Sequence, residues 1–179
     1  MTKWYAISGI LVRSFNSCQT PFPVSQIHQI RSAARAIIIC DGCLLATKMR
    51  DHRGPYYILP GGGQLPGETL EETVRRECLE EVGIEVSVRR LLYVREYIGK
   101  NHTFSKRHVG FHQLEHVFLC EAADPHAACP GTETDNHQVG VSWLSLDAID
   151  RIRFYPDSIK GFLKDGNLTF PSIYLGDCN

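Results

Sequence analysis
The chain has 179 residues, 22% of them charged and 43% apolar, with 19 Lys and Arg against 20 Asp and Glu for a net charge of −1. That length suits one well-packed core, the balance is that of a globular chain, and near-neutrality excludes a global field for gripping duplex DNA. The 7 cysteines are scattered and odd in number, which suits a reducing cytoplasm better than a disulfide framework, and no apolar run approaches the about 18 residues of a membrane span.

Residues 1–30 carry a short apolar stretch from Trp4 to Val12 and then Pro21-Phe22-Pro23. They read as an irregular lead-in of unknown role, ahead of a single domain over 31–179. Arg13 interrupts the apolar stretch and no small-residue cleavage site follows, so a secretory signal is not expected. From Ala34 to Thr47, Asp41-Gly42 lies between two β-rich apolar arms, which predicts a hairpin of two strands. Tyr56 to Leu59 forms a further short strand that Pro60 and the glycines to Gly63 break into a loop.

Thr69 with Glu72 makes a capping box and Gly83 a C-terminal stop, which predicts a helix over Leu70 to Val82. Glu85 to Tyr97 alternates like a strand or two, and Phe111 to Cys120 like another. The polar loop Gly99 to Gly110 separates them. After the weakly patterned stretch Glu121 to Gln138, Val139 to Leu146 resembles a strand, and Asp147 to Leu163 a helix broken at Pro156. These elements predict an α+β domain, a mixed β-sheet with helices packed against it.

Leu70, Val74, Cys78 and Val82 form one apolar stripe on the predicted helix, the face that meets a core. Glu77, Glu80 and Glu81 lie beside it. Neighbouring carboxylates repel, the last helical turn disfavours anions, and nearby apolar groups weaken solvent screening. Each penalty is at most about 1 kcal/mol, but all three have the same sign, and a divalent cation reverses it. Magnesium accepts such hard oxygen ligands while keeping waters and phosphate oxygens. A solvated acidic face is the ordinary meaning of several glutamates on a helix; the wider motif outweighs it here.

That motif is Gly62, five residues, Glu68, seven residues, then Arg76, Glu77, Cys78, Leu79, Glu80, Glu81, Val82, Gly83 and Ile84. It resembles the Nudix box of MutT-like hydrolases, with Cys78 at a position that is usually aliphatic and that a buried cysteine can fill. The resemblance implies an α/β/α sandwich in which the box forms loop, helix and loop. It implies that Glu77, Glu80, Glu81 and the Gly61 carbonyl bind magnesium, or manganese. It also makes Arg76 the arginine that orients the box glutamates, with Glu68 as its ion-pair partner.

The implied chemistry is hydrolysis of a phosphoanhydride bond in a nucleoside diphosphate linked to another group, such as ADP-ribose or a nucleotide sugar. Cleavage of oxidised or ordinary nucleoside triphosphates and non-catalytic nucleotide sensing are the alternatives; action on RNA 5′ ends suits the neutral charge less. Bound metal lowers the pKa of a water and a carboxylate takes its proton, a base role open between Glu77 and Glu80. Glu115, Glu121, Glu133 and Asp135 are candidates for a further acid. The expected partner is a small nucleotide-derived substrate, with a homodimer allowed and neither DNA nor membrane expected.

Lys100, Lys106 and Arg107, with His102 and His108, make the loop Gly99 to Gly110 basic, a candidate phosphate grip or simply a solvated loop. Cys40 and Cys43 have half a zinc motif's spacing but no completing pair, so buried packing is expected of them. His108, His112 and His116 would share a helical face, but four positions along a strand span about 13 Å. They are not expected to hold one ion. Trp143 is expected in the core.

Overall fold
The structure, a computed structural model, describes residues 3–7, 10–14, 29–102, 108–131, 137–164, 166 and 168–179. Strands β1 (Lys3–Ile7) and β2 (Ile10–Ser14) pair antiparallel in the segment where the sequence shows only a lead-in. Asp41 and Gly42 both take positive φ, 48° and 71°, the backbone of a tight hairpin turn. They join β3 (Arg31–Cys40) to β4 (Cys43–Asp51) as expected. Cys40 and Cys43, opposite one another at the turn, are only half-buried, less than plain core packing requires.

The chain continues through β5 (Gly54–Ile58), the three-glycine strand β6 (Gly61–Gly63) and helix α1 (Leu70–Val82). It then forms β7 (Val86–Ile98), β8 (His112–Ala122), β9 (Gln138–Ser145), β10 (Phe154–Tyr155), the short helix α2 (Lys160–Lys164) and β11 (Tyr174–Asp177). The order across the sheet is β10-β5-β4-β3-β8-β7-β11, with β6 also on β3 and β9 also on β4. β3 runs parallel to β8 along its length, meets β6 through Ala33–Arg35 and touches β4 only at its far end. The mixed sheet therefore curls around β3, whose Ala33, Ala34, Ala36 and Ile37 are fully buried.

Each face of the sheet carries its own core. On one, Ala34, Ala36, Ile38 and Leu45 pack against Val74, Cys78 and Val82, the predicted stripe of α1. On the other, Ile37, Tyr93 and Val117 pack against Ile149, Phe154, Ile159 and Leu163. Burying each of these large side chains contributes about 1.5–3 kcal/mol. The result is the expected α/β/α layering.

Three readings of the sequence need correction, the first being the glycine loop, since Gly61–Gly63 pairs with β3 as a strand. Asp147–Leu163 is not one broken helix: 3-10 turns at Leu146–Arg151 and Asp157–Ile159 flank β10, and only α2 is α-helical. The reason is tertiary, because Phe154 is fully buried and the Arg153 carbonyl accepts from the Tyr57 N–H at 2.8 Å. β11 was not expected, and it adds to β7 in parallel. Among the described residues no helix is long and apolar enough to cross a membrane.

Candidate active site
Helix α1 begins and ends where its caps require. The Thr69 hydroxyl accepts from the Glu72 N–H at 3.2 Å, and the Glu72 carboxylate accepts from the Thr69 N–H at 2.7 Å. Gly83 closes the helix at φ 70°. With the apolar stripe buried, Glu77, Glu80 and Glu81 are held along one flank of the helix against the glycine strand.

Glu81 is 4% exposed. Its carboxylate accepts from the Gly61 N–H at 3.0 Å and the buried Thr47 hydroxyl at 3.3 Å. The Glu77 carboxylate lies flat on the loop: a Cβ on Gly62 would fall 2.5 Å from Glu77 Oε2, so the box glycine is required by close approach. Gly61 has φ 129° and lies so near β3 that a Cβ there would fall 2.8 Å from the Arg35 Cα.

Arg76 uses all five of its N–H donors. Nε and Nη2 bind both oxygens of Glu68 at 2.7 and 3.0 Å, and Nη2 also reaches the Gly63 carbonyl at 3.1 Å. Nη1 spans Glu77 and Glu80, each at 2.8 Å. The expected Arg76–Glu68 pair is thus formed, and Arg76 also ties two helix carboxylates together. Its hydrogen bonds hold the Glu68 carboxyl down at about 2, well below the usual 4.5. The Arg76 guanidinium is pushed up, first by Glu68 and then, against burial, by Glu77 and Glu80.

Hard carboxylate oxygens on one helix flank fit a divalent cation by donor chemistry. Yet among the described residues no three His, Cys, Asp or Glu side chains converge into a metal-binding group. The carboxylates face Arg76 and the loop amide instead. The Gly61 carbonyl, expected as a ligand, accepts from Arg35 Nη1, which also donates to the Leu59 carbonyl at 3.2 Å. One residue, Gly61, therefore links Glu81, on its N–H, to Arg35, on its carbonyl.

Arg35 opens onto a cavity of about 240 Å3 lined also by Arg31, Tyr56, Arg95, Tyr97 and Glu115. Tyr93 and Val117 continue this face of β7 and β8 into the core away from α1, so the cavity and the helix lie on opposite sides of the sheet, with β6 at the edge between them. Glu115 is 5% exposed and accepts from Arg95 at 2.6 Å, Gln113 at 2.6 Å and Arg35 at 3.3 Å. Burial pushes its carboxyl up, but Arg95 and Arg35 outweigh that and leave it lowered. Tyr97 is stacked on His102 with ring centres 5.1 Å apart and shares a hydrogen bond with His108 at 2.9 Å.

Of the candidate acids, Glu115 reaches this cavity, whereas Glu121 is exposed on Arg89, about 20 Å further along β8. Glu133 and Asp135 lie outside the described residues, as do Lys106 and Arg107. Lys100 is exposed and lines no part of the cavity. His108, His112 and His116 turn to Tyr97, Glu96 and the Ala33 carbonyl, three separate partners. Arg31, Arg35, Arg95, Gln113 and Thr47 were missed; their signal was polar side chains at alternate positions of otherwise apolar strands.

A family model described as NUDIX domain matches residues 30–164. The nucleoside triphosphatase NudI of Salmonella arizonae is 46% identical over 56 residues, covering 30% of this chain and 40% of that protein. The chain thus spans about two-fifths of the length of that curated relative. A NUDIX hydrolase structure from Nitrosomonas europaea has a TM-score of 0.62 at 20% identity and covers 98% of this chain and 93% of its own. The MutT NUDIX hydrolase from Burkholderia pseudomallei has a TM-score of 0.55 at 27% identity, over 74% of this chain and 95% of its own.

Proposed function
The chain belongs to the NUDIX domain family, and we propose that it is a divalent-cation-dependent hydrolase of a phosphoanhydride bond in a nucleoside diphosphate derivative, such as ADP-ribose or a nucleotide sugar. The observation that carries this reading is the Gly61 backbone, whose N–H and carbonyl join the carboxylate flank of α1 to an aromatic, arginine-lined cavity. An anionic diphosphate needs the first and a nucleoside the second. Six described cysteines are free, in keeping with a cytoplasmic location.

Glu77, Glu80 and Glu81 would hold magnesium or manganese, which when bound supplies charge neutralisation and a more acidic water. Arg76 Nη1 takes one oxygen of Glu77 and one of Glu80, so the second oxygen of each, Glu77 Oε2 and Glu80 Oε1, is the one that would face a cation. Glu81 is fixed by Gly61 and Thr47 and suits a ligand role. The Glu80 side chain is 29% exposed against 13% for Glu77. Glu80 is therefore better placed to take a proton from water. Tyr56 and Tyr97 line the cavity on the far side of the sheet and give it the aromatic wall that a base would lie against.

The likeness to a nucleoside triphosphatase favours a second reading, hydrolysis of nucleoside triphosphates. A phosphate-release panel of ADP-ribose, nucleotide sugars and nucleoside triphosphates with magnesium separates the two. Preference for the linked diphosphates is expected. Inactivity on every member, with calorimetry showing no divalent-ion affinity in the folded protein, would overturn the enzyme reading.

A further inference from the structure
Glycine strand β6 has different neighbours on its two faces. A Cβ on Gly62 would meet the Glu77 carboxylate at 2.5 Å, whereas one on Gly63 would meet the Arg31 guanidinium, with Nε 2.6 Å away. Successive strand residues face opposite ways and are about 3.3 Å apart along the chain. A carboxylate of the helix flank and a guanidinium of the cavity are thus separated by little more than one bare backbone. Among the described strands β6 pairs with β3 alone; at its other edge Gly61 bonds Glu81 and Arg35 and Gly63 bonds Arg76, so charged groups from both faces meet there.

Arg31 differs from the other cavity arginines. Arg35 and Arg95 share Glu115. The Arg31 side chain, among the described residues, makes one long hydrogen bond of 3.3 Å to the neutral Gln113 side chain. Among the side chains that line this cavity three are guanidinium groups and one, Glu115, is a carboxylate, with Arg31 at the exposed rim. A planar guanidinium laid on glycine backbone is arranged to bind a phosphate through two parallel bonds.

We propose that Arg31 grips the nucleoside-bearing phosphate of the substrate beside Gly63, so that the base enters the arginine-lined cavity and the next phosphate points towards the edge where Glu81 and Arg76 meet β6. The inference rests on the hydrolase reading above and names the residue that makes the site prefer a nucleotide over a nucleoside. Arg31 is a binding and specificity residue in this scheme. It takes no proton and touches no bond that breaks.

The test is calorimetric and uses the whole chain in EDTA, so that no cation bridges ligand and helix. AMP is compared with adenosine, and UMP with uridine, on wild type, Arg31→Ala and Arg31→Lys. Wild type should bind each nucleotide about tenfold to a hundredfold tighter than its nucleoside, the worth of a charged hydrogen bond. Arg31→Ala should erase most of that ratio and leave nucleoside affinity in place, with Arg31→Lys between them. Unchanged thermal midpoints keep folding out of the comparison. A ratio that Arg31→Ala leaves intact overturns the role of Arg31 while the hydrolase reading stands. Absence of any nucleotide preference in wild type also overturns it, and only combined with inactivity on the substrate panel does it remove the hydrolase reading.

Discussion
Arg76 shows how one side chain can organise a charged site. Its five donors bind Glu68, Glu77, Glu80 and the Gly63 carbonyl together, which a single ammonium group cannot reproduce. Arg76→Lys should therefore cut turnover about tenfold to a hundredfold, the usual cost of losing a group that orients metal ligands, with helix content by circular dichroism unchanged. Glu80→Gln should lower kcat by about 10²–10⁴, the contribution of a general base. Rates close to wild type in rapid-quench assays would shift the base role to Glu77.

At the scale of elements, α1 is written in local chemistry. Thr69, Glu72 and Gly83 satisfy end groups that the helix leaves unpaired, so its limits in the structure, Leu70–Val82, are those its sequence predicts. Thr69→Ala removes the hydroxyl that accepts the Glu72 N–H and should cost about 1 kcal/mol in urea unfolding. A loss below a few tenths would mean that tertiary packing alone defines the helix start. The Asp41-Gly42 hairpin is legible for the same reason. β10 and β11 are not, because two and four residues carry no period, and their pairing depends on strands distant in the chain.

Across the whole molecule, acidic groups fasten pieces that the chain brings together late. Asp51, at the end of β4, holds Arg153 at 2.9 Å beside β10. Arg153, with the Arg53 N–H, outweighs burial and keeps the Asp51 carboxyl at about 2 rather than 3.8. Glu68 likewise stays near 2 through Arg76. Carboxyls depressed on folding stabilise the native state above their ordinary values and cease to do so as pH falls through the depressed ones. The thermal midpoint should therefore hold above pH 4.5 and decline between about 4.5 and about 2. In Asp51→Asn part of that decline should vanish; an unaltered profile would mean that the Asp51 contact contributes nothing.

By itself the sequence determined the box helix, its caps, the central hairpin, the layered α+β class and the carboxylates that suit a cation, because each depends on residues within a few positions of one another. Tertiary structure alone decided the rest. Glu115 came to lie between Arg35 and Arg95, Gly61 to join Glu81 to Arg35, and Arg31 to rest on Gly63. Those neighbours come from different strands, and which strands meet is set by the curl of the sheet around β3. Side-chain period assigns a residue to a face of its strand, but not the residues that will stand across from it.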